Sequence, residues 1–427
     1  MDKNFKKGKI NRMTKLNKKL FWIYILSGSI YFTQGIEGLP GLALFLYLKE
    51  QLGFTPEKVM YIASITGIAW IIKPLFGYLI DNFLSKKKWI ILSLLGSIGI
   101  ALYLGLSPIL TVPILIITGI IANYNSASRD VAVDGIMCVD GKETDTCDKI
   151  QAIQWISITV ASIFVGLAGG YIAQHYSYKM AYILLVPVYL IIMGIILKYK
   201  SERKIKHECV KCNVVYCDMN YPCIKEQKSS IIKNILSYKE LFTNKSFMFA
   251  CLFLFLYKFS PSFGTPLSYI ERDVFKWSAQ WMGTLSAIVS CFEIGGAIVF
   301  YKLCKKINVK KWLTISVFLG AITSLSYLYF TPITAVAYGI CYAILGMFIH
   351  LIIMAWMAKA TLPGKEATSF ALLCGINNLA AGTASSLTGA FLLPLVGLPI
   401  LIVLSSVTSF ACLPLISKLK IGEKNEN

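Results

Sequence analysis

Long apolar stretches follow one another along almost the whole chain, separated by short polar connections. A helix rises about 1.5 Å per residue, so about 20 mostly apolar residues cross the hydrocarbon core of a bilayer. The runs are of that length and predict twelve spans, numbered 1 to 12 in chain order. The first six lie at 20–48, 59–80, 89–106, 109–137, 150–173 and 178–197, and the second six at 247–269, 279–301, 312–330, 333–357, 367–392 and 395–416. In lipid only helices and closed barrels satisfy all their backbone groups, and runs this long fit helices. The expected fold class is all-α integral membrane.

Composition agrees: 56% of the 427 residues are hydrophobic, 15% are charged, and the mean hydropathy is +0.64. Charge then orients the chain. Most of the 42 Lys and Arg residues fall in the tail 1–19, at 86–88, at Lys142 and Lys149, in 198–246, at 302–311, at Lys359 and Lys365, or in the tail 417–427. If the spans alternate, all of these lie on one side, and only Lys49, Lys58, Lys179, Arg272 and Lys276 lie on the other. Cytoplasmic loops retain positive charge, so a multi-pass protein of the cell membrane with both termini cytoplasmic is expected. The first residues form a basic tail without a small-residue cleavage site, which is not a cleaved signal peptide. The net charge of +20 sits beside lipid headgroups, so the bilayer and not nucleic acid is the expected partner.

Sliding the chain by 223 residues gives a gap-free internal match. Lys87-Lys88-Trp89 falls on Lys310-Lys311-Trp312, Gly41 and Leu44 on Gly264 and Leu267, and Ala161, Ser162 and Gly166 on Ala384, Ser385 and Gly389. Two parallel six-helix repeats are thereby expected, the architecture of the major facilitator fold, with substrate held between the halves. The chain divides into a tail (1–19), a first half (20–197), a polar linker (198–246), a second half (247–416) and a second tail (417–427). In the linker, Ile231, Ile232, Ile235 and Leu236 lie at helical spacing, which fits a helix on the membrane surface or an extension of span 7. Cys209, Cys212, Cys217 and Cys223 also lie there, but the later pair lacks the second Cys-x-x-Cys spacing of a zinc site, so no metal or other cofactor is expected.

Charged side chains inside spans are costly and mark polar interiors. Glu37, Lys73, Arg129, Asp130, Asp134, Lys258 and Glu293 are such residues. In span 4, Asn123, Asp130 and Asp134 share one helical face, with Arg129 about 100° around. Two carboxylates so placed resist being ionised together and can form a proton site; the alternative is a structural ion-pair cluster. The expected proton-coupling residues are Asp130, Asp134 and Glu293. Lys73, Arg129 and Lys258 are the counter-charges an anionic solute would find, although Lys73 could instead pair with Glu37 or Asp130. Gln34, Gln154 and Asn377 offer the hydrogen bonds a heteroaromatic ring needs, and Glu37 completes the substrate-binding set. No phosphate-binding Gly-rich loop is present, and His175, His207 and His350 form no acid-base array, so a carrier is expected and not an enzyme.

Gly77-Tyr-Leu-Ile-Asp81 followed by 86–88 resembles the loop signature of the major facilitator superfamily. Tyr31-Phe-Thr-Gln34-Gly35, Leu52-Gly-Phe-Thr-Pro56, Trp70-Ile-Ile-Lys73-Pro74 through Gly77, Asp130-Val-Ala-Val-Asp134-Gly135 and Ser260-Pro261-Ser262 resemble the folate-biopterin transporter family. The resemblance implies function at Lys73, Asp130 and Asp134. It also implies a monomeric secondary active transporter that moves a folate- or pterin-like small organic anion by alternating access, with protons. A carrier of another solute, such as an amino acid or nucleoside-like metabolite, is the alternative.

Overall fold

A computed structural model describes residues 20–144, 146–199, 242–303, 308–361 and 366–419. The four linker cysteines, the 231–236 stretch, the tail 1–19 and residues 420–427 of the second tail lie outside them. The described residues form helices and connections, with no strand among them. Among the described residues, seven stretches are long and apolar enough to cross a membrane: Pro56–Gly77, Lys86–Leu106, Lys149–His175, Tyr178–Lys198, Ala279–Leu303, Pro332–Met357 and Ser369–Ile416. The last, 48 residues long, holds spans 11 and 12 and reverses at Gly397, whose φ of 75° is rarely adopted by L side chains. The reversal expected at 392–395 therefore falls a few residues later, between Pro394 and Pro399.

Spans 1, 4, 7 and 9 are helical too, but each departs from a plain apolar helix for a local reason. Span 4 is the helix Val112–Thr144, with polar residues through its middle, and span 9 is Val309–Ser326, only 18 residues with two lysines at its start. Span 1 is helical over 20–36, turns through 37–40 and resumes at Gly41–Leu46. Span 7 runs as Lys245–Lys258, opens over 259–263 and resumes at Gly264–Asp273. The two restart glycines stand 223 residues apart, as do the first residues of Pro56–Thr66 and Ala279–Leu303 and of Lys86–Leu106 and Val309–Ser326. Even the caps repeat: Ser85 Oγ accepts from Lys88 N at 3.4 Å, and Asn308 Oδ1 accepts from Lys311 N at 3.1 Å. The register lapses in spans 5 and 11, whose wide π turns, Val165–Gly169 and Leu379–Ala384, do not correspond.

Each half has its own packed interior, one around Leu26, Leu94, Ala132 and Leu185 and one around Phe253, Leu313, Trp356 and Leu373. The halves meet along two seams, span 5 against span 8 and span 2 against span 11. A Cβ on Gly166 would lie 2.6 Å from Ala287 N and 2.7 Å from Gly283 O, so only glycine lets these backbones approach. Gly389, the repeat counterpart of Gly166, abuts Ser262 and Met60, and Met60 is the counterpart of Gly283. The seams are therefore images of each other.

At the end of the bundle away from the tails, the distal end, Lys49 pairs with Asp273, and Glu50 Oε1 lies 2.6 Å from Arg272 Nε. Lys49-Glu50 and Arg272-Asp273 are repeat counterparts, so the repeat supplies one ion pair twice, in opposite senses. Beside it the Tyr269 hydroxyl donates to Phe54 O, and Ala279 N donates to Gln174 Oε1 at 2.9 Å. These bonds tie the halves together at the distal rim.

Candidate functional site

Span 4 lies against spans 1, 2 and 3 and carries its charged residues into the first half, where the structure sorts them into two ion pairs and one remainder. Arg129, 1% exposed, pairs with Glu37 and also donates to Ser97 Oγ at 2.8 Å and Ser93 O at 3.3 Å. Glu37 sits in the non-helical turn of span 1 and accepts from Ser126 Oγ at 2.7 Å and from the Tyr189 hydroxyl at 3.1 Å. Arg129 thus faces spans 3 and 6 and not the neighbouring aspartates.

The second pair joins Lys73 Nζ to Asp130 Oδ2 at 2.5 Å. Lys73 starts the helix Lys73–Asn82 after a break in span 2, and its ammonium lies 4.4 Å from the Trp70 ring centre. Trp70 is held by its Nε1 donating to Asn123 Oδ1 at 2.8 Å, and Gln34 Nε2 reaches Asp130 Oδ1 at 3.4 Å. Of the two partners open to Lys73 in the sequence, Asp130 is the one it takes.

Asp134 is the remainder. It receives only neutral donors, the Tyr31 hydroxyl at 3.1 Å and Gln154 Nε2 at 3.2 Å, both on Oδ1, and no cation pairs with it among the described residues. Tyr31 and Tyr189 are members of this cluster that charge alone does not reveal. Tyr31 could have been found, because Tyr31, Gln34 and Glu37 recur every three residues along span 1.

In the second half, Lys258 closes the helix Lys245–Lys258, half-buried and without an ion-pair partner among the described residues. Asn377 Nδ2 donates to Asn378 Oδ1 at 3.4 Å, and Asn378 Nδ2 crosses to Trp70 O at 3.3 Å, so span 11 touches the Lys73 region. Glu293, within Ala279–Leu303, is half-buried and apart from these groups. The structure therefore gathers Gln34, Glu37, Lys73, Arg129, Asp130, Asp134 and Gln154 in the first half and leaves Glu293 outside.

A cavity of about 490 Å³ lies between the halves toward the distal end, lined by Gly38, Leu42, Ser268, Glu271, Ser286 and Tyr327 among others.

The arrangement has known counterparts. A point mutant of the nucleoside transporter NupG superposes with a TM-score of 0.69 at 15% identity, covering 94% of this chain and 99% of its own. The xylose transporter XylE from E. coli, in an inward-open conformation, superposes with a TM-score of 0.68 at 10% identity over 95% and 97% of the two chains. These likenesses define the fold, that of the major facilitator transporters. The chain matches the BT1 family over residues 34–421 and belongs to it, the folate-biopterin transporter family. It is 22% identical to the folate-biopterin transporter of Synechocystis sp. (strain ATCC 27184 / PCC 6803 / Kazusa), covering 94% of this chain and 82% of that one. It is likewise 22% identical to probable folate-biopterin transporter 4 of Arabidopsis thaliana, over 88% and 89%. The chain is a multi-span membrane transporter.

Proposed function

We propose that this transporter is a monomeric secondary active carrier of the cell membrane, with both termini cytoplasmic, that moves a pteridine-type or related small organic anion by alternating access with protons. The names of its relatives support the solute class. One observation carries the coupling: in the buried cluster Glu37 and Asp130 each have a cation, whereas Asp134 has only neutral donors. A half-buried carboxylate that pairs with no cation is costly, so Asp134 is the group whose proton can come and go with the state of the site. Lys258 is the cation left for the solute, and Gln34, Gln154 and Asn377 supply donors and acceptors. Uptake into vesicles of labelled pterins, folates, amino acids and nucleosides, with and without a pH gradient, tests the reading. Loss of gradient dependence for every solute would remove the proton from it.

Alternating access requires the distal rim to part. Each of the two reciprocal pairs has a partly exposed member and contributes on the order of 1 kcal/mol at most. Breaking both, as in Lys49→Gln with Arg272→Gln, is expected to shift the balance toward distal-open forms by roughly tenfold. Spin-label distances across the rim measure this. The exchange Lys49→Asp with Asp273→Lys is expected to keep the closed population, because it reverses one pair and leaves the other.

A further inference from the structure

His350 lies on the helix Pro332–Lys359, its ring centre 4.7 Å from that of Trp155 in the edge-on orientation. Trp155 belongs to the first half and His350 to the second. The imidazole Nε2 is buried and has no hydrogen-bond partner among the described residues. A packing histidine would satisfy that nitrogen or expose it, since leaving it unmet is costly. The helices that carry Lys258 and His350 pack together through Phe253 and Trp356, whose ring centres are 5.2 Å apart, and no carboxylate pairs with Lys258 among the described residues. Counting helical rise from the tail-side ends of their helices, Trp155, His350 and Lys258 lie about 12, 14 and 20 Å deep, so a long lysine side chain spans the difference. A cation and an unmet ring nitrogen thus meet at the interface between the halves, and the group missing from both is an anion that accepts hydrogen bonds.

We infer that Lys258 and His350 form a subsite for the carboxylate of the transported solute, with Trp155 positioning the imidazole. This rests on the carrier reading above and narrows its solute to a flat aromatic carboxylate. Lys258 supplies the ion pair, and His350, with its hydrogen on Nε2, donates a second bond to the other carboxylate oxygen. Trp155 comes from the opposite half, so the subsite is complete only while spans 5 and 10 are in contact. It is lost when they separate, which is what release requires. Gln154, the preceding residue, holds Asp134, so one turn of span 5 touches both the proposed proton site and the anion subsite.

The test uses the full chain in proteoliposomes and three matched pairs: pterin-6-carboxylate and its amide, 4-aminobenzoate and 4-aminobenzamide, and nicotinate and nicotinamide. Wild type is expected to take up at least one carboxylate at least tenfold better than its amide. Lys258→Gln and His350→Phe are expected to reduce carboxylate uptake about tenfold or more while changing amide uptake less than about threefold, and His350→Gln, which keeps a donor, to recover part of the loss. Trp155→Leu is expected to raise the KM for the carboxylate and leave that for the amide. Equal uptake of carboxylates and amides by wild type, or equal losses of both in the variants, overturns the subsite and leaves the carrier reading standing. Uptake of none of the six overturns both.

Discussion

Asp134→Asn is expected to abolish accumulation driven by a pH gradient while counterflow exchange stays measurable. Exchange needs a solute site that can face both sides, whereas accumulation needs net proton movement. The substituted amide keeps the shape and still accepts from Tyr31 and Gln154, whose donors lie at 3.1 and 3.2 Å, but it cannot take or release a proton. Asp130→Asn is a contrasting change. It removes the partner of Lys73 and leaves that ammonium unpaired in the bundle, so both accumulation and exchange are expected to fall together. Should Asp134→Asn retain normal gradient-driven uptake, the proton site must be sought elsewhere, first at Glu293. Labelled uptake and counterflow on the same vesicles separate these outcomes.

The second large effect concerns folding. Glu37→Gln leaves Arg129, 1% exposed, without its counter-charge among Ser93, Ser97 and Tyr189. Removing one member of a buried pair costs about 3–5 kcal/mol, and here the lower end applies because the Glu37 side chain is 20% exposed. The yield of folded protein and its melting temperature in detergent are expected to fall sharply. Glu37→Gln combined with Arg129→Met, which removes the stranded charge, is expected to recover most of the loss. Normal stability in the single variant, with lost transport, would instead move Glu37 from the scaffold to the transport path.

Much of the fold was legible because lipid simplifies the code: length and apolar character locate spans, and the 223-residue offset locates the halves. The same offset recurs in helix starts at Gly41 and Gly264 and at Pro56 and Ala279. The interruption after residue 36 was not legible, since the apolar run continues through it; nor was the reversal at Gly397, which the sequence suggested a few residues earlier. In the site, the spacing of Asn123, Asp130 and Asp134 put them on one face of span 4, and their partners lie on spans 1, 2 and 5. The partner of Arg129 could not be read, because periodicity fixes a direction around one helix but not which neighbour lies there. The structure turns Arg129 to span 3 and leaves Asp134, not Arg129, as the unbalanced charge. The proposed role of His350 was not legible for a similar reason: it depends on Lys258 and Trp155, which are distant from it in sequence.

The pairing pattern has an electrical consequence. Glu37 with Arg129 and Lys73 with Asp130 sum to zero, so the charge of the empty proposed site is that of ionised Asp134 plus Lys258, again zero. Adding one proton and one monovalent anion leaves the sum unchanged. On the proposed mechanism, the empty and the fully loaded carrier would therefore reorient without dragging net charge through the bilayer, while a carrier holding only the proton or only the anion would not. Moving an elementary charge across the membrane is worth about 2.3 kcal/mol per 100 mV, in addition to the cost of desolvating it. Tight coupling would then need no dedicated latch, and its stoichiometry would be one proton per monoanion. Uptake of a monocarboxylate should accordingly be indifferent to a potassium diffusion potential set with valinomycin, whereas a dicarboxylate carried with one proton should be retarded when the interior is negative.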